Sequence, residues 1–169
     1  MLKDIDRLKL VTDRFGKIGS TPQLEKNSVL MRIESMVQYI QKRSSEKVQF
    51  SVLHDGCDDT ANINVPLFDW VIENLLKNAL DAMEGQGKII IELKRIDDKL
   101  TMDIADTGKG IQKKYISQIF KPGFTTKKRG WGLGLTLTKR IVQHYHNGEI
   151  FVKQSETVKG TTFRVILKA

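Results

Sequence analysis

The sequence predicts a two-layer α/β sandwich of the α+β class, in which a mixed sheet carries helices on one face and a further helix precedes it. Three observations predict it. Strand-like and helix-like patterns alternate unevenly along the chain, the alternating segments 88–94 and 99–105 are separated by the turn Asp97-Asp98, and two last strand-like segments close the sheet as an antiparallel pair. Taken in order, Leu2, Ile5, Leu8, Thr12, Phe15 and Ile18 form one helical stripe among Lys, Asp and Arg, until Gly19 and Pro22 stop it. A helix is expected over 29–44, a strand over 48–53 and a short extended piece over 61–65. Leu67, Val71, Leu75, Leu76, Ala79 and Met83 keep a helical period after Pro66, which predicts a long helix over 67–83. Leu100, Met102 and Ile104 alternate with Thr101 and Asp103 as a half-buried strand. Leu135, Leu137, Ile141 and Val142 place a helix over 134–146, and strands over 149–153 and 161–167 follow.

Composition bounds the organisation. A chain of 169 residues with 40% hydrophobic content and no repeat can bury one real core, assigned to 21–169, with 1–20 as a separate helical lead. The single cysteine, Cys57, excludes an internal disulfide, fits a reducing compartment and reads as structural, with no neighbour suggesting metal or nucleophile chemistry. No apolar run approaches the roughly 18 residues of a membrane span and no leader pattern is present, so a soluble, cytoplasmic domain without membrane contact is expected. A longer parent can still be membrane-anchored. The net charge of +8 is spread along the chain, densest at 127–129 and 139–140, which a solvated surface beside an anion site explains without nucleic-acid binding.

Four segments carry the candidate chemistry. Asn74 and Asn78 stand four residues apart on the 67–83 helix, so their amides share a face. Asparagine competes with the helical backbone, and two of them on one face of an apolar helix call for a polar partner. Their carbonyl oxygens suit Mg²⁺, a hard ion that takes one or two protein oxygens and keeps waters and phosphates as its other ligands. Glu73 and Lys77 are ordered to stabilise the helix by roughly 0.2 to 0.5 kcal/mol. Glu73 lies about 100° around the helix from Asn74 and borders the amide face.

Asp106-Thr107-Gly108-Lys109-Gly110 ends a strand. Its carboxylate accepts only, so it can read the exocyclic amine of adenine, while Gly108 and Gly110 let a planar ring approach the backbone. The same five residues also make an ordinary turn. The stretch Phe120-Lys121-Pro122-Gly123-Phe124-Thr125-Thr126-Lys127 comes next, and then Gly130, Gly132 and Gly134 around Trp131 and Leu133. These glycines lack the Cβ atoms that would hold a ligand off the main chain. The loop opens into a helix whose first N–H groups and dipole favour phosphate. Lys127, Lys128 and Arg129 offer charge-assisted hydrogen bonds to a polyphosphate. Singly, Gly-rich turns and solvated Lys/Arg runs are common. In this order the four segments describe an ATP site.

Their order and spacing resemble the N, G1, F and G2 boxes of histidine-kinase catalytic domains, whose ATPase superfamily also holds the DNA gyrase B subunit, certain heat-shock chaperones and mismatch-repair ATPases. The resemblance implies that Asn78 is the Mg²⁺ ligand, with Asn74 its polar neighbour, and that Asp106 binds the adenine amine above Gly108 and Gly110. Residues 120–129 become a lid, with Thr126, Lys127 and Arg129 as phosphate contacts, and Gly130, Gly132 and Gly134 hold the triphosphate. Thr162 is implied to lie near adenine, and Asp81, Ile111, Phe120, Thr125, Trp131, Leu133 and Leu135 complete the nucleotide shell. Asn78, Glu73 and Lys127 are the residues implied to act in the transfer.

Two positions depart from the family pattern. Asp81 stands where many members carry a basic residue, and Lys127 to Arg129 can compensate. Asn74 stands where hydrolysing relatives carry the glutamate that activates water, and an amide has no useful basicity. Positioning for transfer to another nucleophile is therefore expected, because phosphoryl transfer depends mostly on placement and charge stabilisation. The resemblance implies the ATP-binding domain of a two-component sensor histidine kinase, passing the γ-phosphoryl group of Mg-ATP to a histidine on a dimerisation hairpin. Residues 1–20 resemble the end of that hairpin's second helix, although such a stripe can also pack on its own domain. His54, His144 and His146 read as structural rather than as the phosphoacceptor. A homodimeric parent and a response-regulator receiver domain are the implied partners. The alternatives are a protein serine kinase or regulator of the same fold, and a nucleotide-binding interaction module without transfer.

Overall fold

The computed structural model describes residues 21–128 and 132–169. The predicted helix within 1–20, and the site residues Arg129, Gly130 and Trp131, lie outside the described residues. The elements are β1 (Glu25–Ser28), α1 (Val29–Gln41), β2 (Val48–His54), β3 (Thr60–Ile63), α2 (Val65–Met83), β4 (Gly87–Ile96), β5 (Lys99–Asp106), α3 (Lys113–Ile116), α4 (Gly134–Arg140), β6 (Glu149–Glu156) and β7 (Gly160–Lys168). Five strands form one sheet in the order β2-β4-β5-β7-β6; β2 and β4 are parallel and the other pairs antiparallel. The expected mixed sheet and helical layer are therefore present.

Side-chain alternation builds the interface between the layers. Ile89, Ile91 and Leu93 of β4 are buried, whereas Ile90 between them is 38% exposed. Leu100, Met102 and Ile104 of β5, and Val165 and Leu167 of β7, continue the buried face, which packs against Phe68, Ile72, Leu75 and Leu76 of α2 and Ile33 of α1. Burying such aliphatic and aromatic side chains contributes about 1.5 to 3 kcal/mol each, so this face dominates the stability of the fold.

The boundaries have local causes. Ser28 caps α1, its hydroxyl accepting from Met31 N–H at 3.1 Å and donating to the Asp59 carboxylate, which also accepts from Leu30 N–H at 3.0 Å. Asn64 caps α2 by accepting from Leu67 N–H at 3.3 Å, with Pro66 in the first turn. The predicted start near Leu67 is thus two residues late. At its other end Glu84 turns left-handed at φ 54°.

The structure adds two elements that the sequence reading did not contain and corrects two of its expectations. The short extended piece expected over 61–65 is strand β3 at Thr60–Ile63, and it pairs antiparallel with β1, which was not foreseen, in a second, two-stranded sheet. The polar run of β1 has no alternation to betray it, and the strand exists through its partner. Helix α3 was likewise not legible, being one turn long. The helix expected over 134–146 is α-helical only to Arg140 and continues as a π-helical turn over Ile141–Tyr145. Lastly, β5 is buried on both faces rather than half-buried. Thr101 and Asp103 are 7% and 6% exposed, because neighbouring strands lay long side chains across the central strand. Arg164 clasps Asp103 at 2.7 and 2.8 Å and Lys153 adds a bond at 2.8 Å. Together these bonds hold the Asp103 carboxyl below its ordinary range against the opposing effect of burial.

His146 ties the two helices that flank the site. It is 3% exposed, its Nε2 accepts from Asn64 N–H at 3.1 Å, and its Nδ1 lies 3.0 Å from the Ile141 carbonyl. An imidazole that accepts at one nitrogen and donates at the other is neutral. Burial lowers its pKa in agreement.

Candidate nucleotide site

Helix α2 forms one wall of a cavity of about 640 Å³, with the end of β5, the start of β7, the loop after β5 and the segments flanking residues 129–131 making up the rest. That volume is right for a small-molecule ligand. Trp70, Asn74, Asn78 and Asp81 recur along α2 at helical spacing and all line it. The sequence reading placed Asn74 and Asn78 on one face by their polarity, whereas Asp81 entered it only through the family resemblance. Trp70 belonged to the same period, four residues before Asn74, and could have been added by it.

Asp106 lies at the inner end. It is 9% exposed, and Oδ1 accepts from Gly108 N–H at 2.8 Å, with Thr161 contributing a second backbone hydrogen bond. Burial raises its pKa, and the two backbone bonds oppose that rise. A carboxylate offers about four lone-pair sites, so two such bonds leave capacity for the amine of a purine.

The glycines prove to be required by the protein's own packing. A Cβ on Gly108 would lie 2.7 Å from the Ala82 backbone, and Lys109 N–H donates to Ala82 O at 3.0 Å, so the loop lies flat on α2. Gly108 is not among the residues that line the cavity, and its bare backbone is pressed against α2 instead. Gly110, at φ +73°, does line the cavity, and its Cβ would meet Glu156 O at 2.1 Å. Gly132, at φ +65°, accepts from Gly123 N–H at 3.1 Å, which joins the two flanks of the lid.

Gly134 begins α4 where a Cβ would lie 2.7 Å from Asn74 Oδ1. Asn74 Nδ2 donates to Thr138 Oγ1 at 2.8 Å, and that hydroxyl donates to Gly134 O at 2.8 Å. Asn74 thus fastens the first turn of α4 to α2. Leu133, the residue before that turn, provides no side-chain cap, and residues 132–135 line the cavity with the helix N-terminus among them.

At the outer end Lys127 Nζ donates to Asn78 Oδ1 at 3.0 Å and to Asp81 Oδ2 at 2.6 Å. Lys127, from the segment read as a lid, therefore brings a cation to Asp81, the position at which the resemblance implies a basic residue in many members. Thr125 and Thr126 line the cavity nearby, as does Ile111 from the loop after β5. Glu73, 9% exposed, pairs with Lys77 at 3.0 Å and also lines it.

Phe120 and Thr162 do not line the cavity. Phe120 packs edge-on against Phe163 at 6.3 Å, with Lys139 Nζ 5.2 Å from its ring. On β7 the neighbours of Thr162, Thr161 and Phe163, face the cavity instead, since strand side chains alternate. Sequence reasoning missed these two and Tyr115, whose ring meets at 5.5 Å that of Phe124, a residue of the segment read as a lid. The one-residue alternation on β7 was the available signal for the first two, and Tyr115 had none.

A sequence profile described as Histidine kinase-, DNA gyrase B-, and HSP90-like ATPase matches residues 64–169. Sporulation kinase E of Bacillus subtilis is 39% identical over 98 residues, covering 57% of this chain and 13% of that protein. Sensor histidine kinase ZraS of Salmonella typhimurium is 30% identical over 171 residues, covering 99% of this chain and 36% of that protein. The chain thus spans about a third or less of the relatives it matches. Among solved structures, the catalytic domain of histidine kinase ThkA aligns at a TM-score of 0.79 with 24% identity, covering 86% of this chain and 95% of that one. ThkA in complex with response regulator protein TrrA aligns at 0.77 with 20% identity, covering 99% and 48%.

Proposed function

The chain belongs to the Histidine kinase-, DNA gyrase B-, and HSP90-like ATPase family, and on that footing we propose that it is the ATP-binding, phosphoryl-donating domain of a sensor histidine kinase. One observation carries this reading. A single cavity has a buried carboxylate, Asp106, at one end and an amide–carboxylate–ammonium cluster, Asn78, Asp81 and Lys127, at the other, with the start of α4 along its side. A purine at the first end and a polyphosphate toward the second match that polarity.

In this reading the Asp106 carboxylate accepts the exocyclic amine of adenine, and Gly110 and Ile111 border the ring. The uncapped first turn of α4 and the Lys127 ammonium hold the phosphates through N–H donors and charge. Asn78 Oδ1 and Asp81 Oδ2 already share one cation, the Lys127 ammonium, and both are hard oxygen donors. They fit Mg²⁺, with Asn78 as its ligand; the ion would neutralise charge on the phosphates. Asn74 is committed to Thr138 and cannot act as a base toward water. Glu73 is the carboxylate that flanks the phosphate end, and Lys77 orients it. The acceptor is a histidine on a dimerisation hairpin of a homodimeric parent, followed by an aspartate on a receiver domain; the ThkA–TrrA complex supports such a partner. Among the described residues no helix is long and apolar enough to cross a membrane. The reading places the domain in the cytoplasm, with any anchor elsewhere in the parent.

Calorimetry of Mg-ATP with the chain and with Asp106→Asn and Asn78→Ala, followed by transfer of labelled phosphate to an added hairpin, tests it. Saturable one-to-one binding weakened by both changes, with acid-labile, base-stable labelling of the hairpin, is the expected result. Binding without transfer to any hairpin would overturn the kinase assignment and leave a nucleotide-binding module.

A further inference from the structure

The β2–β3 loop lies at the free edge of the sheet, outside the nucleotide cavity, and its first residues gather three metal-ligating side chains. His54 ends β2, Asp55 and Gly56 turn the chain, and Cys57 comes back beside His54, with Sγ 3.7 Å from His54 Nε2. One ligand atom from each of His54, Asp55 and Cys57 lies within 4.8 Å of the other two. We propose that these residues form a metal site for a borderline-soft divalent ion of the Zn²⁺ type, with water completing the coordination.

The donor set selects the ion. A thiolate sulfur and an imidazole nitrogen disfavour Mg²⁺ and Ca²⁺, which require oxygen, and suit Zn²⁺ together with one carboxylate. Tetrahedral Zn²⁺, with Zn–S near 2.3 Å and Zn–N near 2.0 to 2.1 Å, sets sulfur and nitrogen roughly 3.6 Å apart. The observed 3.7 Å matches that spacing.

The loop is also built to hold the ligands in place. Gly56, at φ +81°, supplies the left-handed turn that returns Cys57 to His54, and nothing lies within 4 Å of where its Cβ would be. Asp55 Oδ1 accepts from Cys57 N–H at 3.1 Å, which fixes the carboxylate beside the thiol. Immediately downstream, Arg95 of β4 grips the Asp58 and Thr60 carbonyls at 2.7 and 3.0 Å, so the far side of the loop is anchored. Asp55 is exposed, and His54 and Cys57 are half-buried, which leaves a solvent path to the ion. Because the metal binds the thiolate, ligation breaks the Cys57 S–H bond, forms a metal–sulfur bond and releases one proton to solvent.

This site owes nothing to the nucleotide reading, and its test separates the two. The chain is titrated with Zn²⁺, and with Co²⁺ as a spectroscopic probe, alongside Cys57→Ser, His54→Ala and Asn78→Ala. The expected result is one Zn²⁺ per chain with release of one proton, a thiolate-to-cobalt charge-transfer band, and a rise in the unfolding temperature on adding Zn²⁺. Cys57→Ser and His54→Ala should each weaken Zn²⁺ by at least about 10- to 100-fold while keeping the parent's far-ultraviolet dichroism. Asn78→Ala should bind Zn²⁺ like the parent. A Co²⁺ complex without the thiolate band, or undiminished Zn²⁺ binding by Cys57→Ser, would overturn the site.

Discussion

At the inner end of the cavity Asp106 is 9% exposed and held by backbone N–H groups of Gly108 and Thr161, whereas at the outer end Lys127 and Asp81 meet with side chains 40% and 57% exposed. At the inner end the backbone leaves no room for a side chain: a Cβ on Gly160 would lie 1.9 Å from Asp106 O. The outer end is set by long side chains in water, where an ion pair is worth about 0 to 1 kcal/mol. On the proposed reading, base recognition would be preorganised, and the phosphate end would be free to exchange one cation for another. The same contrast separates positions that fail by unfolding from positions that fail by losing ligand.

The largest expected effect breaks the inner end outright. Gly160→Ala puts a Cβ into the Asp106 carbonyl at φ +111°, and should cost about 3 kcal/mol of stability in urea unfolding. An unchanged midpoint would mean that the β7 hairpin is softer than its contacts imply. Next in size, Asp106→Asn keeps the acceptor for Gly108 but loses the charge that an amine donor favours. ATP affinity should fall by about 2 kcal/mol, read by calorimetry, with little change in folding.

The same carboxylate has a pH signature. Burial raises its pKa, and adenine needs the ionised form, so ATP affinity should decline at a higher pH than an ordinary aspartate would give as the solution is acidified. Asp106→Asn should abolish that limb of the profile, and a limb that persists in the variant would belong to another group.

His146 tests the joint between the two flanking helices. Its folded pKa is lowered, so its contribution to stability is present above the unfolded value, near 6.5, and is lost as pH falls through that value toward the folded one. Unfolding monitored from pH 7.5 to 5 should show this loss. His146→Gln should lower stability by about 1 kcal/mol at pH 7 and flatten the slope. The smallest effect belongs to the outer end. Asp81→Asn should change stability by less than about 0.5 kcal/mol, and raising the salt concentration should erase what remains. A cost above about 1.5 kcal/mol would show that this pair is structural and not an exchangeable contact.

Much of this was legible along the chain, for a physical reason. Helix α2 repeats its apolar residues with a helical period and its two amides in register, so Asn74 and Asn78 could be placed on a face before any fold was known. Strand β5 alternates, and Asp106 with its glycines follows at its end. These are local periodicities, and local periodicity is what a sequence by itself determines. The order of the four segments then identified the kind of ligand.

What the tertiary structure decided are the relations between segments distant in the chain. That Thr161 and not Thr162 faces the cavity depends on the register of β7 against β5, where a one-residue slip turns every side chain over. That Asn74 binds Thr138 depends on how α4 docks on α2, and the burial of Asp103 depends on which strands flank β5. The glycines were read as places that admit a ligand by lacking a side chain. Only the packed chain shows that what excludes it is the protein's own backbone: the Ala82 main chain at Gly108 and the Glu156 carbonyl at Gly110.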